Sequence, residues 1–114
     1  MHEPGDARAA LRRARAETRS QIAALSRDLD GVIDASLDSN ADDEHDPEGA
    51  TIAFERAQVT ALLADARRRL AELDAALDRL DAGTYGTCER CGSPIPAERL
   101  AVRPSARTCV GCAR

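Results

Sequence analysis

The chain has 114 residues, of which 43% are hydrophobic and 2% aromatic, and its formal net charge is −4 at pH 7. With one Phe, one Tyr and no Trp, it lacks the bulky side chains of a compact globular core. The composition favours long helices, and the negative charge argues against a protein that binds nucleic acid through overall charge alone.

Charge is unevenly distributed along the chain, and all 16 basic residues are arginines. Residues 38–50 contain six acidic residues and no arginine, whereas residues 83–114 contain five arginines and two acidic residues. The acidic segment is either a solvated turn, the commonest reason for such a run, or a surface for a basic or metal-bearing partner.

The expected location is the cytoplasm, without a membrane partner. No apolar run approaches the ~20 residues of a membrane span, and the first residues lack the basic and apolar regions of a signal peptide. Thiols stay reduced in the cytosol, which favours metal binding by cysteine over disulfide formation.

The first predicted helix covers about residues 5–38 and would be ~50 Å long. Pro4 or Asp6 can start it. Apolar residues at steps of three and four form one narrow stripe, made of Leu11, Ala14, Thr18, Ile22, Leu25, Leu29, Val32 and Ser36.

The second predicted helix covers residues 47–82. Asp46 can cap it, Pro47 suits the first helical position, and Gly83 is a natural left-handed C-terminal cap. Its stripe is made of Ile52, Val59, Leu62 or Leu63, Ala66, Leu70, Leu73, Leu77 and Leu80.

Together these patterns predict an all-α fold with a small zinc finger. Two helices of near-equal length, each with one stripe, should pack as a long antiparallel coiled-coil hairpin over residues 1–82. Residues 38–50 form its acidic connection, which we call the tip loop. Residues 83–114 form a separate four-cysteine module.

All cysteines of the chain lie in this module, with the spacing C-x2-C-x17-C-x2-C, at Cys88, Cys91, Cys109 and Cys112. Two such pairs supply the four thiolates of a tetrahedral Zn²⁺ site. The loop 93–108 offers only Ile95, Leu100 and Val102 for burial. Zinc must therefore supply the folding free energy that this small core lacks.

A structural role is predicted for this single zinc ion, because four protein thiolates leave no coordination position for water or substrate. His2 and His45 have no plausible nucleophile nearby, so we expect no enzymatic activity. Oxidation of the zinc thiolates is an alternative role that no other feature of the sequence singles out.

Other candidate contact residues lie outside the cysteine pairs. Phe54 is roughly 130° from its helix stripe, so it should be exposed near the tip loop, unless it folds over the end of the hairpin. Four arginines of the module either offset the charge of the zinc–thiolate centre or contact phosphate or an acidic partner: Arg90, Arg99, Arg103 and Arg107.

Residues 85–112 resemble the DksA/TraR family of bacterial zinc-finger transcription factors. The resemblance rests on Tyr85-Gly-Thr-Cys-Glu-Arg-Cys-Gly92, then Ile95-Pro-x2-Arg99-Leu-x2-Arg103-Pro104, then Cys109-x2-Cys112. It implies RNA polymerase as the partner, with the hairpin inserted through the secondary channel. Initiation would change without recognition of a DNA sequence.

The family's tip motif, D-x-x-D-x-A, is only partly matched. Asp46 and Ala50 supply the first Asp and the Ala, Gly49 stands near the second Asp, and Asp43 restores an Asp pair. The resemblance thus implies partner contacts by Asp46 and Ala50, with Asp43 as a substitute. Phe54, through its expected exposure, and Arg99 and Arg103 of the module are further candidate partner contacts.

Some members of the family act with the alarmone ppGpp, which makes ppGpp a further candidate partner. This sequence ends two residues after Cys112, where better-known members continue into a C-terminal helix. We therefore expect the contacts made by that helix to be missing, cooperation with ppGpp not to follow from the resemblance, and the transcriptional effect to be changed or absent. Two other functions remain open: a nucleic-acid-binding module that uses the arginines, and a coiled-coil adaptor without transcriptional activity.

Overall fold

The computed structural model of the chain describes residues 4–39 and 47–113, with side-chain surroundings for residues 6–37 and 49–113. Helix α1 spans Pro4–Ser39, α2 spans Pro47–Ala82 and the short α3 spans Ala97–Val102, before a 3-10 turn at Val110–Cys112. The prediction of two long helices followed by a four-cysteine cluster is confirmed. None of the described helices is both long and apolar enough to span a membrane.

The end of α2 is fixed by local hydrogen bonds. Gly83 adopts φ +77°, its N–H donates to the Leu80 carbonyl at 3.2 Å, and Thr84 N–H donates to the Arg79 carbonyl at 2.9 Å. This pair of bonds is the Schellman motif, which requires a left-handed residue at the position of Gly83. The predicted glycine cap is therefore confirmed.

The chain contains two compact units, and each is described by itself. The first consists of Met1–Glu17 together with Arg69–Arg114, and the second of Thr18–Arg68. The predicted division into a hairpin at 1–82 and a module at 83–114 concerns independent folding and stays a prediction.

In the first unit, α1 and α2 pack through small and medium apolar side chains. Leu11 and Ala76 are fully buried, and they cluster with Leu73 and Leu77. The predicted stripe did not include Ala76, which is fully buried in this cluster. Ala14, Leu80 and Tyr85 pack around this cluster.

Two ion pairs join α1 and α2 in the first unit, and their order along the chain shows that the helices are antiparallel. Arg8 lies 2.9 Å from Asp81. Arg15 lies 3.5 Å from Asp74. The later residue of α1 thus pairs with the earlier residue of α2, as antiparallel helices require. Such half-exposed pairs contribute roughly 0.2–1 kcal/mol each, so packing provides most of the stability.

In the second unit, both helices contribute buried residues, and these residues occupy predicted stripe positions. Val32 of α1 is 8% exposed, and it lines one groove with Ile52 and Val59 of α2. Leu63 is 4% exposed whereas Leu62 is 46% exposed, so only one of the two adjacent leucines faces α1. Among the described residues of this unit, the other buried ones are Thr18 and Ala66.

The four-cysteine module has a core of its own, formed by Cys88, Ile95, Leu100 and Ala106. The prediction that Val102 is buried is wrong, because its exposure is 88%. The reason is α3, a helix within the segment that the sequence analysis treated as a loop. Residues two apart on a helix point about 200° apart, so Leu100 and Val102 cannot face the same core.

Gly31 provides a stability prediction. It lies inside α1, and a methyl group at its position would meet no heavy atom within 4 Å. Gly31→Ala is expected to raise the free energy of unfolding by about 0.5–1 kcal/mol, because alanine loses less backbone entropy in a helix. Urea denaturation followed by circular dichroism measures this change. Gly83→Ala is the matched control, and it should instead destabilise by about 1 kcal/mol, because alanine disfavours positive φ.

Candidate metal centre

Two backbone turns bring the cysteine pairs together. The first turn is closed by the N–H of Cys88, which donates to the Ser93 carbonyl at 2.8 Å, and by Ile95 N–H, which donates to the Gly86 carbonyl at 2.7 Å. Gly86 and Gly92 both have positive φ within this turn. Cys109 directly precedes the 3-10 turn at Val110–Cys112, and Cys112 is its last residue. Glu89 N–H donates to the Arg107 carbonyl at 2.9 Å.

The four sulfur atoms form a compact cluster, with every Sγ within 4.8 Å of every other. Cys91 Sγ lies 3.7 Å from Cys109 Sγ. A tetrahedral ion with Zn–S bonds of about 2.3 Å separates its sulfurs by about 3.8 Å. The donor set and its spacing therefore fit one Zn²⁺ ion, whose four thiolates make it a structural centre.

The four cysteines differ in their exposure to solvent. Cys88 is 2% exposed and belongs to the module's core, Cys109 and Cys112 are half-buried, and Cys91 is exposed. Cys88 therefore contributes packing as well as a bond to the metal.

Backbone donors and neighbouring thiols make the cysteines unequal. The backbone N–H of Cys109, helped by those of Cys91 and Arg90, lowers the pKa of the Cys88 thiol to about 6. The backbone N–H of Ser93 lowers the pKa of the Cys91 thiol. Hydrogen bonds with the other cysteines, first Cys109, raise the pKa of Cys112 to about 12, because the cluster cannot ionise fully without a cation.

Zinc affinity is therefore expected to rise with pH. The Cys88 thiol, with its lowered pKa, loses its proton more readily, whereas the Cys112 thiol, with its raised pKa, holds a proton that zinc must displace. Release of at least one proton makes the affinity fall at least about tenfold per pH unit between about pH 8 and pH 6. Competition titrations against a chelator with known protonation constants measure this slope, and an affinity independent of pH would contradict it.

Arg90, Arg99, Arg103 and Arg107 line one cleft of about 490 Å³ beside the metal centre, together with Glu72 and Glu89. Arg99 Nε donates to the Thr108 carbonyl at 2.9 Å, and an Arg90 amino group donates to the Cys112 carbonyl at 3.4 Å. These two side chains thus support the second cysteine pair. The remaining two are in exposed ion pairs, Arg107 with Glu89 at 3.2 Å and Arg103 with Glu72 at 3.7 Å.

The candidate tip contacts are only partly within the described residues. Asp43 and Asp46 lie outside them. Ala50 lies exposed in α2, and the predicted exposure of Phe54 is confirmed at 73%. The contact roles of these residues, like those of Arg99 and Arg103, stay predictions.

Two hydrogen bonds near the junction of α2 and the module are not indicated by the sequence. The Tyr85 hydroxyl donates to the Pro104 carbonyl at 2.8 Å, and Arg79 donates to the Ser105 carbonyl at 3.4 Å. An aromatic residue beside a cysteine pair was visible in the sequence, but its partner lies 19 residues away along the chain.

Comparisons with known proteins agree with this geometry. Residues 83–114 match the family model of the prokaryotic dksA/traR C4-type zinc finger. The chain is 37% identical over 46 residues to the RNA polymerase-binding transcription factor DksA of Haemophilus influenzae, covering 40% of this chain and 32% of that protein. It is 38% identical over 72 residues to General stress protein 16O of Bacillus subtilis, covering 63% and 44%.

A solved structure, that of transcription factor DksA2 from Pseudomonas aeruginosa, extends the similarity to the helices. It has a TM-score of 0.54 and 28% sequence identity, and the match covers 90% of this chain and 79% of that chain. The chain spans less than half the length of the curated relatives it matches. The resemblance seen in the sequence is confirmed, and residues 83–114 are a C4-type zinc finger of the prokaryotic DksA/TraR family.

Proposed function

We propose that this chain is a zinc-containing transcription regulator that binds RNA polymerase in the cytoplasm and has no enzymatic activity. The observation that carries the proposal is the pairing of a DksA/TraR-type zinc finger with a two-helix hairpin. The match to DksA2 includes both parts, since it covers 90% of this chain. DksA of Haemophilus influenzae is named as RNA polymerase-binding, which supplies the partner.

The hairpin is the part proposed to act on the polymerase. It would enter the secondary channel and bring the acidic tip loop towards the active site, where carboxylates can alter initiation without reading DNA sequence. The charge pattern supports this orientation, because residues 38–50 hold six acidic residues and no arginine. Phe54 adds an aromatic contact, since it is 73% exposed on α2.

The zinc finger is proposed to contact the polymerase through Arg99 and Arg103. Arg103 is the freer of the two, because its ion pair with Glu72 is long and exposed. Arg99 is half-buried and bonded to the Thr108 carbonyl, so it would act mainly by shaping the surface. Cooperation with ppGpp stays an open part of the proposal.

Retention of core RNA polymerase from the source organism tests the proposal. Immobilised zinc-loaded protein is expected to retain polymerase subunits at moderate salt after nuclease treatment, and their absence would reject it. The nucleic-acid alternative predicts binding to short DNA that weakens steeply with salt. An adaptor that dimerises through its helices would instead give the mass of a dimer in light scattering.

A tip variant separates binding from activity. Asp43→Asn combined with Asp46→Asn removes two charges with little change in size, and should abolish the effect on initiation in vitro while polymerase binding persists. Asp42→Asn with Glu48→Gln is the matched control, because it removes the same charge from the same loop. Equal loss of activity in both variants would show that total tip charge acts, rather than this Asp pair.

A further inference from the structure

The base of the hairpin, residues 6–17 of α1 and 69–82 of α2, belongs to the same compact unit as the zinc finger. We propose that zinc binding and the ordering of this hairpin base are one cooperative event, so that the metal controls helix pairing as well as the finger. The inference goes beyond a zinc ion that stabilises only its own module.

Tyr85 carries the first part of the argument. Its ring packs against the hairpin-base cluster of Leu11, Leu73, Ala76 and Leu77, and also against the finger cluster that includes Cys88 and Leu100. One half-buried side chain is thus shared by two cores. If the finger unfolds, the hairpin-base cluster loses one of the residues that cover it, and the exposed apolar surface costs stability.

The second part is a set of polar contacts to one short stretch of the finger, made by two residues of α2 and by Tyr85, which follows the helix by three residues. Glu72 pairs with Arg103 at 3.7 Å. Arg79 donates to the Ser105 carbonyl at 3.4 Å, and the Tyr85 hydroxyl donates to the Pro104 carbonyl at 2.8 Å. All three contacts reach residues 103–105, which lie four to six residues before Cys109, the first residue of the second cysteine pair.

Residues 103–105 depend on the metal for their order. Ser105 is 8% exposed and the neighbouring Ala106 is 3% exposed, so the end of this stretch is buried in the folded finger. The core that buries it consists of four residues, one of which is the zinc ligand Cys88. A core of this size does not offset the chain entropy of the finger, so removal of zinc releases the stretch and its contacts with α2.

Coupling of this kind is reciprocal: if zinc stabilises the hairpin base, the hairpin base must strengthen zinc binding by the same factor. Leu11 tests this statement, because it lies on α1, is fully buried and clusters with residues of the hairpin base. Leu63 is the matched control, a leucine that is 4% exposed and lies in the other unit.

The experiment compares the zinc affinities of Leu11→Ala and Leu63→Ala in the full chain by competition against a chromogenic chelator. Leu11→Ala is expected to weaken zinc binding at least about tenfold, because truncation of a buried leucine strongly destabilises the folded form that holds the metal. Leu63→Ala should stay within about twofold of the unmodified protein. Unchanged affinity in Leu11→Ala, or equal losses in both variants, would overturn the proposal.

Hydrogen exchange of the unmodified chain gives a second test that does not depend on a variant folding. Addition of a strong zinc chelator is expected to remove protection from amides 7–16 and 70–82 together with those of the finger. Amides between residues 18 and 37 should keep more of their protection. Loss of protection confined to residues 85–113 would show that the finger unfolds alone, and the proposal would fail.

Discussion

Cys88→Ser is expected to weaken zinc binding at least roughly a hundredfold. A structural zinc site of four ligands has an apparent binding free energy of about 10–16 kcal/mol, so one lost thiolate removes several kcal/mol. Cys88 is also 2% exposed within the finger core, where a hydroxyl would be poorly accommodated. Chelator competition measures the affinity, and circular dichroism after zinc removal reports the accompanying loss of structure.

Val110→Ala is the control for this variant. Val110 lies in the 3-10 turn between two zinc ligands, but its side chain is 67% exposed and supplies no metal donor. Its zinc affinity should match that of the unmodified protein within a factor of about two. A Cys88→Ser protein that still bound zinc as tightly as Val110→Ala would contradict a four-thiolate centre.

Leu63→Ala is expected to lower the free energy of unfolding by about 2–4 kcal/mol, whereas Leu62→Ala should lower it by less than about 1 kcal/mol. The two leucines are neighbours on α2, yet they are 4% and 46% exposed. Truncation of the buried one leaves a cavity against α1, while truncation of the other mainly exposes a smaller surface. Urea denaturation with zinc in excess, followed by circular dichroism, measures both changes.

This pair of variants also tests the helix register. Rotation of α2 by one residue would bring Leu62 into the buried position that Leu63 occupies. Equal destabilisation by the two substitutions would therefore contradict the helix packing described for the second unit.

Local sequence signals identified the metal centre and the ends of the helices. Each cysteine pair is held by a turn of a few residues, so the spacing alone indicated which four side chains would meet. Gly83 likewise ends α2 through bonds to residues within one turn of itself. The expected hairpin followed from periodicity, because each helix has a single apolar stripe that must be covered.

Contacts between segments that are far apart along the chain could not be predicted from the sequence. Periodicity left Leu62 and Leu63 as equal candidates, since the angle between adjacent residues is comparable to the width of the stripe. The apolar side chain of Val102 suggested burial, but Val102 is exposed because helix α3 turns it away from Leu100. The sequence did not indicate this helix. The candidate partner contacts at Asp43 and Asp46 stay predictions.

The sequence by itself determined the zinc ligands, the helical hairpin and its glycine cap, because these depend on short spacings and repeated patterns. Only the tertiary structure decided that Tyr85 is shared by two cores, and that residues 103–105 receive bonds from Arg79 and Tyr85. Such contacts join residues that are 19 and 26 positions apart along the chain. The packing of the segments determines which residues meet. Through Tyr85, the core that contains Cys88 is packed next to the core of the hairpin base.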